Sequence, residues 1–232
     1  MNIKHGMILA AGLGKRMQPL TFKTPKSLLE INNISLLERT INLLISHGVQ
    51  EISINVHYLS NQIKSFINKK KFKANITISN EEDSLLDTGG GVLRGTKNFG
   101  KSPFFVVNPD TIWSKDYLSE LKSLETIYLK DNKPTLLLVN KKLSIDLSFK
   151  GDFNLNNGKI SKDDENQFIF TGVQVTNRSV LIGEKSKVFS MNTIWEKLIK
   201  DENLRGFESN QKFYHLNTFD MYKKIQSLNV TD

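Results

Sequence analysis

The feature that most narrows the fold is a short apolar run, Met7 to Ala11, that passes without a break into Gly12-Leu13-Gly14 and then into Lys15 and Arg16. A run of this length stopped by glycines reads as a buried strand, here Lys4 to Ala11. The glycines let the following backbone bring its N–H groups close to an anion. Beyond them come Pro25-Lys26 and a second apolar run, Leu28-Leu29-Glu30-Ile31. Cations placed just past such a loop can hold phosphate oxygens. The stretch predicts a polyphosphate site.

Two familiar phosphate loops are excluded by spacing. No segment has the Gly, four residues, Gly-Lys-Ser/Thr of a Walker A loop. The dinucleotide pattern G-x-G-x-x-G begins correctly at Gly12 and Gly14 but meets Met17 where its third glycine belongs.

Further along, Ile34 to Gly48 has helical spacing (Leu37, Ile41, Leu44, Ile45) with Gly48 as its stop. Glu51 to His57 alternates and predicts a strand; Ser60 is placed to cap a helix carrying Ile63, Phe66 and Ile67. Asn75 to Ser79 predicts a third strand. Strand, helix, strand, helix, strand argues for a parallel sheet covered on both faces. Three glycines, Gly89 to Gly91, then stand at the start of a predicted helix, where they are costly to order. A flexible turn is one reading. The other is close approach of backbone to a ligand, with helix N-terminal N–H groups available.

Phe104 to Asn108 is a fully apolar strand leading into Pro109-Asp110. A carboxylate just past the carboxyl end of a buried parallel strand lies where open α/β sheets bind ligands, although an Asp there also serves as a turn residue. Asp116 predicts the start of a helix with Leu118, Leu121 and Leu124, and Thr135 to Asn140 a buried strand. A short strand is expected at Ile145 to Phe149, and a longer one at Phe168 to Thr176, where Gly172 can mark close approach of a ligand. Met191, Ile194, Trp195, Leu198 and Ile199 share one helical face and predict core. Lys212 to Leu216 predicts a last strand, and Thr218 caps a final helix with Tyr222, Ile225 and Leu228.

The 232 residues, 38% hydrophobic and 24% charged, suffice for a buried core and fit an ordinary soluble protein. No apolar run approaches the roughly 20 residues that span a bilayer, and the N-terminus does not read as a signal peptide. Zero cysteines exclude disulfides and thiolate metal sites and fit a cytoplasmic location. The net charge of +8 is spread along the chain apart from Lys69-Lys70-Lys71-Phe72-Lys73, which reads as a solvated helix end. A basic surface suits phosphorylated substrates, and neither a nucleic-acid nor a membrane partner is expected.

The string A-A-G-x-G-x-R-M-x-P-L-T, with T-P-K following, resembles the signature of the nucleoside triphosphate:sugar-1-phosphate nucleotidyltransferases. Leu86-Asp87-Thr88-Gly89-Gly90-Gly91 resembles the nucleobase loop of the N-acetylmuramate-1-phosphate uridylyltransferase branch. The resemblance runs from about Met7 to Ile225. It implies one Rossmann-like, three-layer α/β/α domain over residues 1–232, with a mixed, mostly parallel sheet, a nucleotide-binding half to about 110 and a sugar-binding half beyond.

The same resemblance assigns roles. Arg16 holds the leaving β,γ-phosphates, Lys26 bridges the α-phosphate and the sugar phosphate, and Asp110 binds Mg²⁺; these three are the candidate catalytic residues. Ala10, Ala11, Gly12, Leu13, Gly14, Lys15, Thr88, Gly89, Gly90 and Asn108 surround the nucleotide, with Asn80 placed near the base by position alone. Asp152 and Gly172 fall on the sugar side. Lys159 and Lys162 both lie near the place of the family's sugar-phosphate lysine, and the choice stays open.

Two departures stand out. Pro109 replaces the glycine of the family's N-G-D, removing one N–H. Phe213 to Thr218 matches W-x-D-x-G-T, putting His215 at the second metal-binding Asp and Asn217 at the Gly. Imidazole is a poor ligand for Mg²⁺. Three explanations stay open: Asp110 with water and phosphates alone, Mn²⁺ held with His215, or a protein that binds nucleotide with weakened catalysis. The implied reaction joins UTP to N-acetylmuramate 1-phosphate and releases pyrophosphate. The alternatives are the same chemistry with guanosine or cytidine triphosphate and a heptose, mannose or choline phosphate, or a nucleotide-sugar sensor. A monomer or small homo-oligomer is expected.

Overall fold

The predicted first strand is β1 (His5–Leu9), shorter than foreseen because Ala10 and Ala11 already belong to the loop. The computed structural model describes residues 3–81 and 83–228. After the loop come a two-stranded ribbon, β2 (Glu30–Ile31) and β3 (Ile34–Ser35), and helix α1 (Leu36–His47). Ser35 Oγ caps α1 by accepting from the Glu38 amide at 3.2 Å, and Gly48 ends it at φ 107°. Leu37, Ile41 and Leu44 of α1 are fully buried, each contributing roughly 1.5–3 kcal/mol of apolar burial.

The alternation continues with β4 (Glu51–Val56), α2 (Ser60–Lys70), β5 (Asn75–Asn80), α3 (Asp87–Gly95), β6 (Phe104–Val107) and α4 (Tyr117–Asp131). Ser60 is the first residue of α2 rather than its cap: the cap position is Leu59, in the left-handed region at φ 53°. Then follow β7 (Thr135–Asn140), β8 (Asn154–Asn156), β9 (Lys159–Ser161), β10 (Phe168–Thr176), α5 (Met191–Lys200), β11 (Arg205–Ser209) and α6 (Phe219–Gln226). Thr218 Oγ1 caps α6 through the Met221 amide at 3.2 Å.

Among the described residues the large sheet has nine strands, in the order β5-β4-β1-β6-β10-β7-β11-β9-β8. β5, β4, β1 and β6 pair in parallel, as do β7 and β11, while β10 inserts antiparallel between β6 and β7. One face buries Ile8, Ile54 and Phe105 against α1, α2 and α4. The other buries Met7, Phe104 and Leu136 against Val92 of α3 and Ile194 of α5. The outcome is the expected three-layer α/β/α arrangement with a mixed sheet.

Two expected strands differ. Ile145 to Phe149 is a turn, in which Asp146 Oδ1 accepts from the Ser148 amide at 3.0 Å and its hydroxyl at 2.6 Å. The segment at 212–216 makes only isolated bridges, Thr111 with His215 and Ser144 with Phe213. The last sheet strand is β11 instead.

Candidate active site

β1 lies between β4 and β6, so the chain leaves β1 towards one side and returns to β6 on the other. A crevice opens at the carboxyl ends of the two strands, as at other topological switch points. A cavity of about 540 Å³ fills it, bounded by the loop after β1, by Lys26, by the residues after β6 and by the start of α3.

The loop glycines serve different needs. Gly14 adopts φ 63°, and a Cβ there would lie 2.9 Å from Thr21 Cγ2, so a side chain is excluded by both strain and space. Thr21 closes the turn by donating from Oγ1 to the Gly14 carbonyl at 2.9 Å. A Cβ on Gly12 would meet nothing within 4 Å, and Gly12 lines the cavity, as do Ala10, Ala11 and Gly14. Lys15 and Arg16 line it too and are exposed. Leu13 is not among the lining residues.

Lys26 and Asp110 face each other across the cavity floor, with Nζ 2.6 Å from Oδ2. Burial alone pushes the Asp110 carboxyl up, but the Lys26 ammonium and, more weakly, His215 outweigh it and hold the carboxyl at about 2. Its other oxygen, Oδ1, is buried and has no hydrogen-bond partner. His215 Nε2 stands 3.8 Å from Oδ2, and the ring stacks on Phe213. Burial lowers the His215 pKa, Asp110 opposes this, and Lys26 and Arg16 add to it, so the imidazole is neutral at pH 7. His215 does not line the cavity. Among the described residues no group of three or more His, Cys, Asp or Glu could enclose a metal. Asp110 with one open oxygen fits a hard cation that takes its remaining ligands from phosphate and water.

Sequence reasoning missed a buried polar network behind this loop. Asn55 Oδ1 accepts from the Ala10 amide at 2.8 Å, and Asn55 Nδ2 donates to Glu81 Oε1 at 2.8 Å. Glu81 Oε2 in turn accepts from the Leu86 amide at 3.1 Å. Asn55 and Glu81 both line the cavity; Asn80, the predicted base contact, does not. The only local trace of it in β4 is that a polar side chain, Asn55, is buried among its neighbours; its partners lie elsewhere in the sequence.

The glycine stripe needs a correction. The amides of Gly89 and Gly90 both donate to the Phe189 carbonyl, at 2.9 and 3.1 Å, so neither is open to a nucleotide. A Cβ on Gly89 would lie 2.4 Å from the Phe189 ring, and one on Gly90 2.2 Å from the Lys187 carbonyl oxygen. The close approach is real, but it is made by the chain at 187–189. Thr88 and Asp87 are the α3 residues that reach the cavity.

A second cavity of about 290 Å³ adjoins the first, sharing Leu9, Asp87, Thr88 and Asn108 with it. Asp152 lines it as expected, with Oδ2 accepting from the Phe170 amide at 2.9 Å. Burial pushes the Asp152 carboxyl up, against the pull of that amide and of Lys162. Lys162 lines this cavity, whereas Lys159 pairs with Glu202 at 2.9 Å near the start of β11, which separates the two candidates. Gly172 lines neither cavity: at φ 100° it accommodates Asn108, whose amide donates to its carbonyl at 2.7 Å. Trp195, read as core, is buried but also walls this cavity, its Nε1 donating to Gln174 Oε1 at 3.0 Å.

Comparison with known proteins agrees with this arrangement. The nucleotidyl transferase family model matches residues 5–142. N-acetylmuramate α-1-phosphate uridylyltransferase of Caulobacter vibrioides is 27% identical over 92% of this chain and 91% of its own. The protein of the same name from Neisseria meningitidis serogroup B is 27% identical over 96% of each. A crystal structure of UDP-glucose pyrophosphorylase with UDP-glucose shares the fold, with a TM-score of 0.79, 17% identity and 97% of each chain covered. With more than half of its length matched by that model, the chain belongs to the nucleotidyl transferase family and is a sugar-1-phosphate nucleotidyltransferase.

Proposed function

We propose that the protein transfers uridylyl from UTP to N-acetylmuramate 1-phosphate. An oxygen of the sugar phosphate attacks the α-phosphorus, the bond to the β-phosphate breaks, and pyrophosphate leaves with the electron pair. The attacking oxygen is ionised at neutral pH, so catalysis reduces to positioning and charge neutralisation.

The observation that carries this reading is the Lys26–Asp110 pair at 2.6 Å on the floor of the first cavity. A triphosphate laid over Gly12 and Gly14 presents its β,γ-phosphates to Lys15 and Arg16. Its α-phosphate draws Lys26 away from Asp110, which frees the carboxylate for the cation carried by the triphosphate. Asp110 would hold that ion, Mg²⁺ or Mn²⁺, which supplies further neutralisation of phosphate charge. Ala10, Ala11 and Thr88 border the nucleoside.

The sugar is assigned to the second cavity, where Asp152 accepts from a hydroxyl. Among the described residues Lys162 is its one lining cation; it meets the sugar phosphate or the lactyl carboxylate that distinguishes muramate. The two relatives named above, alike in length, support this pair of substrates. The test is pyrophosphate release over a panel of four nucleoside triphosphates and several sugar 1-phosphates. UTP with N-acetylmuramate 1-phosphate should give the highest kcat/KM; a higher value for another pair rejects the assignment.

A further inference from the structure

A second oxygen stands unpartnered beside Asp110. Asn217 is 8% exposed, lines the first cavity together with Asp110, and its Oδ1 is buried without a hydrogen-bond partner. Which way its amide points is settled by chemistry. The other end of the group lies 2.8 Å from Asp146 Oδ2, and an ionised carboxylate only accepts. The nitrogen must therefore face Asp146, and the oxygen must face away from it. Asp146 is itself fixed by the amide and hydroxyl of Ser148, so the orientation is locked.

The backbone brings this oxygen to Asp110. The Leu216 amide donates to the Asp110 carbonyl at 2.7 Å, and His215 bridges to Thr111. In an extended segment, residues two apart share a face, so Asn217 follows His215 on the side of Asp110 while Leu216 is fully buried. Leaving a buried polar atom unsatisfied costs about 1–3 kcal/mol. Two such unpartnered oxygens in one cavity wall are arranged for a cation. An amide oxygen is a hard neutral donor, suited to Mg²⁺ or Mn²⁺ where an imidazole is not.

We propose that Asn217 Oδ1 is the second protein oxygen for the divalent cation, oriented by Asp146 and acting beside Asp110. This rests on the reading that the cavity takes a metal–triphosphate complex. The segment that puts a histidine next to Asp110 thus restores an oxygen two residues later.

The test is Mn²⁺ binding, measured from the electron paramagnetic resonance signal of free Mn²⁺, with the metal alone and with α,β-methylene-UTP added. Asn217→Ala should weaken binding at least about tenfold, and Asp110→Asn should abolish it. The paired exchange Asp146→Asn with Asn217→Asp keeps the hydrogen bond but gives the cavity oxygen a charge, so Mn²⁺ should bind more tightly than in the parent. Parent affinity in a folded Asn217→Ala protein, or in the paired exchange, overturns the inference, as does a parent that binds no Mn²⁺ in either condition. Because the readout needs no turnover, its failure is distinct from that of the substrate assignment. Asn217-dependent Mn²⁺ binding in a protein inactive on every substrate pair would keep the inference and reject the function.

Discussion

Lys26 and Asp110 are 84 residues apart in sequence, yet their side chains meet at 2.6 Å, and each is the other's charge partner. A buried carboxylate without that ammonium would have its pKa raised; with it, the value is about 2. On the proposed function, the site would store its cation and its anion against each other until a triphosphate separates them.

Replacing Lys26 tests both halves of that statement. Lys26→Ala should lower kcat/KM by about 10²–10³-fold, the loss of one preorganised charge at the reacting phosphate. It should also raise the Asp110 pKa, because the Lys26 ammonium, the main opposition to burial, is then gone. In the parent the depressed pKa contributes stability that is full above pH 3.8 and is lost as pH falls towards 2. Melting temperature against pH should show that acid limb in the parent and lose it in Lys26→Ala.

The glycines separate cavity from packing. Gly90→Ala places a methyl 2.2 Å from the Lys187 carbonyl oxygen and should destabilise the fold by about 1–3 kcal/mol. Gly12→Ala adds a methyl with nothing within 4 Å. It should leave the melting temperature nearly unchanged and weaken triphosphate binding, measured by calorimetry. The reverse pattern would return the glycine stripe to the nucleotide.

His215 should show its burial in the acid range. Its folded pKa lies below the ordinary value, so the unfolded chain takes up a proton first as pH falls. Stability from this residue is full above roughly pH 6.5 and declines below it. His215→Gln should flatten the dependence of melting temperature on pH below about 6.5; an unchanged slope would place the titration elsewhere.

On the sugar side, Lys162→Ala should raise KM for the sugar phosphate at least about tenfold and leave triphosphate affinity intact. Lys159→Ala should change neither KM nor triphosphate affinity, since Lys159 is exposed and paired with Glu202. Steady-state kinetics with each substrate varied in turn decides between them.

What the sequence disclosed follows contiguity. The loop after β1 and Asp110 were legible because each sits just past an apolar run, and Lys26 because it stands between Pro25 and the start of one. The strand at Arg205–Ser209 was not, because only Gly206 and Ser209 of its five residues are buried and neither is apolar. Asn55 and Glu81 join segments 26 residues apart, and no local pattern announces such a pairing. Three consecutive glycines signalled a close approach, but nothing in the string says that Phe189 makes it. Asn217 was visible only as a departure at the family's Gly, because its proposed role depends on Asp146, 71 residues away.

The most direct measurement of the central claim follows the fate of each phosphorus. With [α-³²P]UTP and N-acetylmuramate 1-phosphate, the label should appear in a nucleotide sugar, and with [γ-³²P]UTP in pyrophosphate, both steps lost in Asp110→Asn. Label recovered from the parent only as UMP or orthophosphate would show hydrolysis without transfer, and would contradict the account.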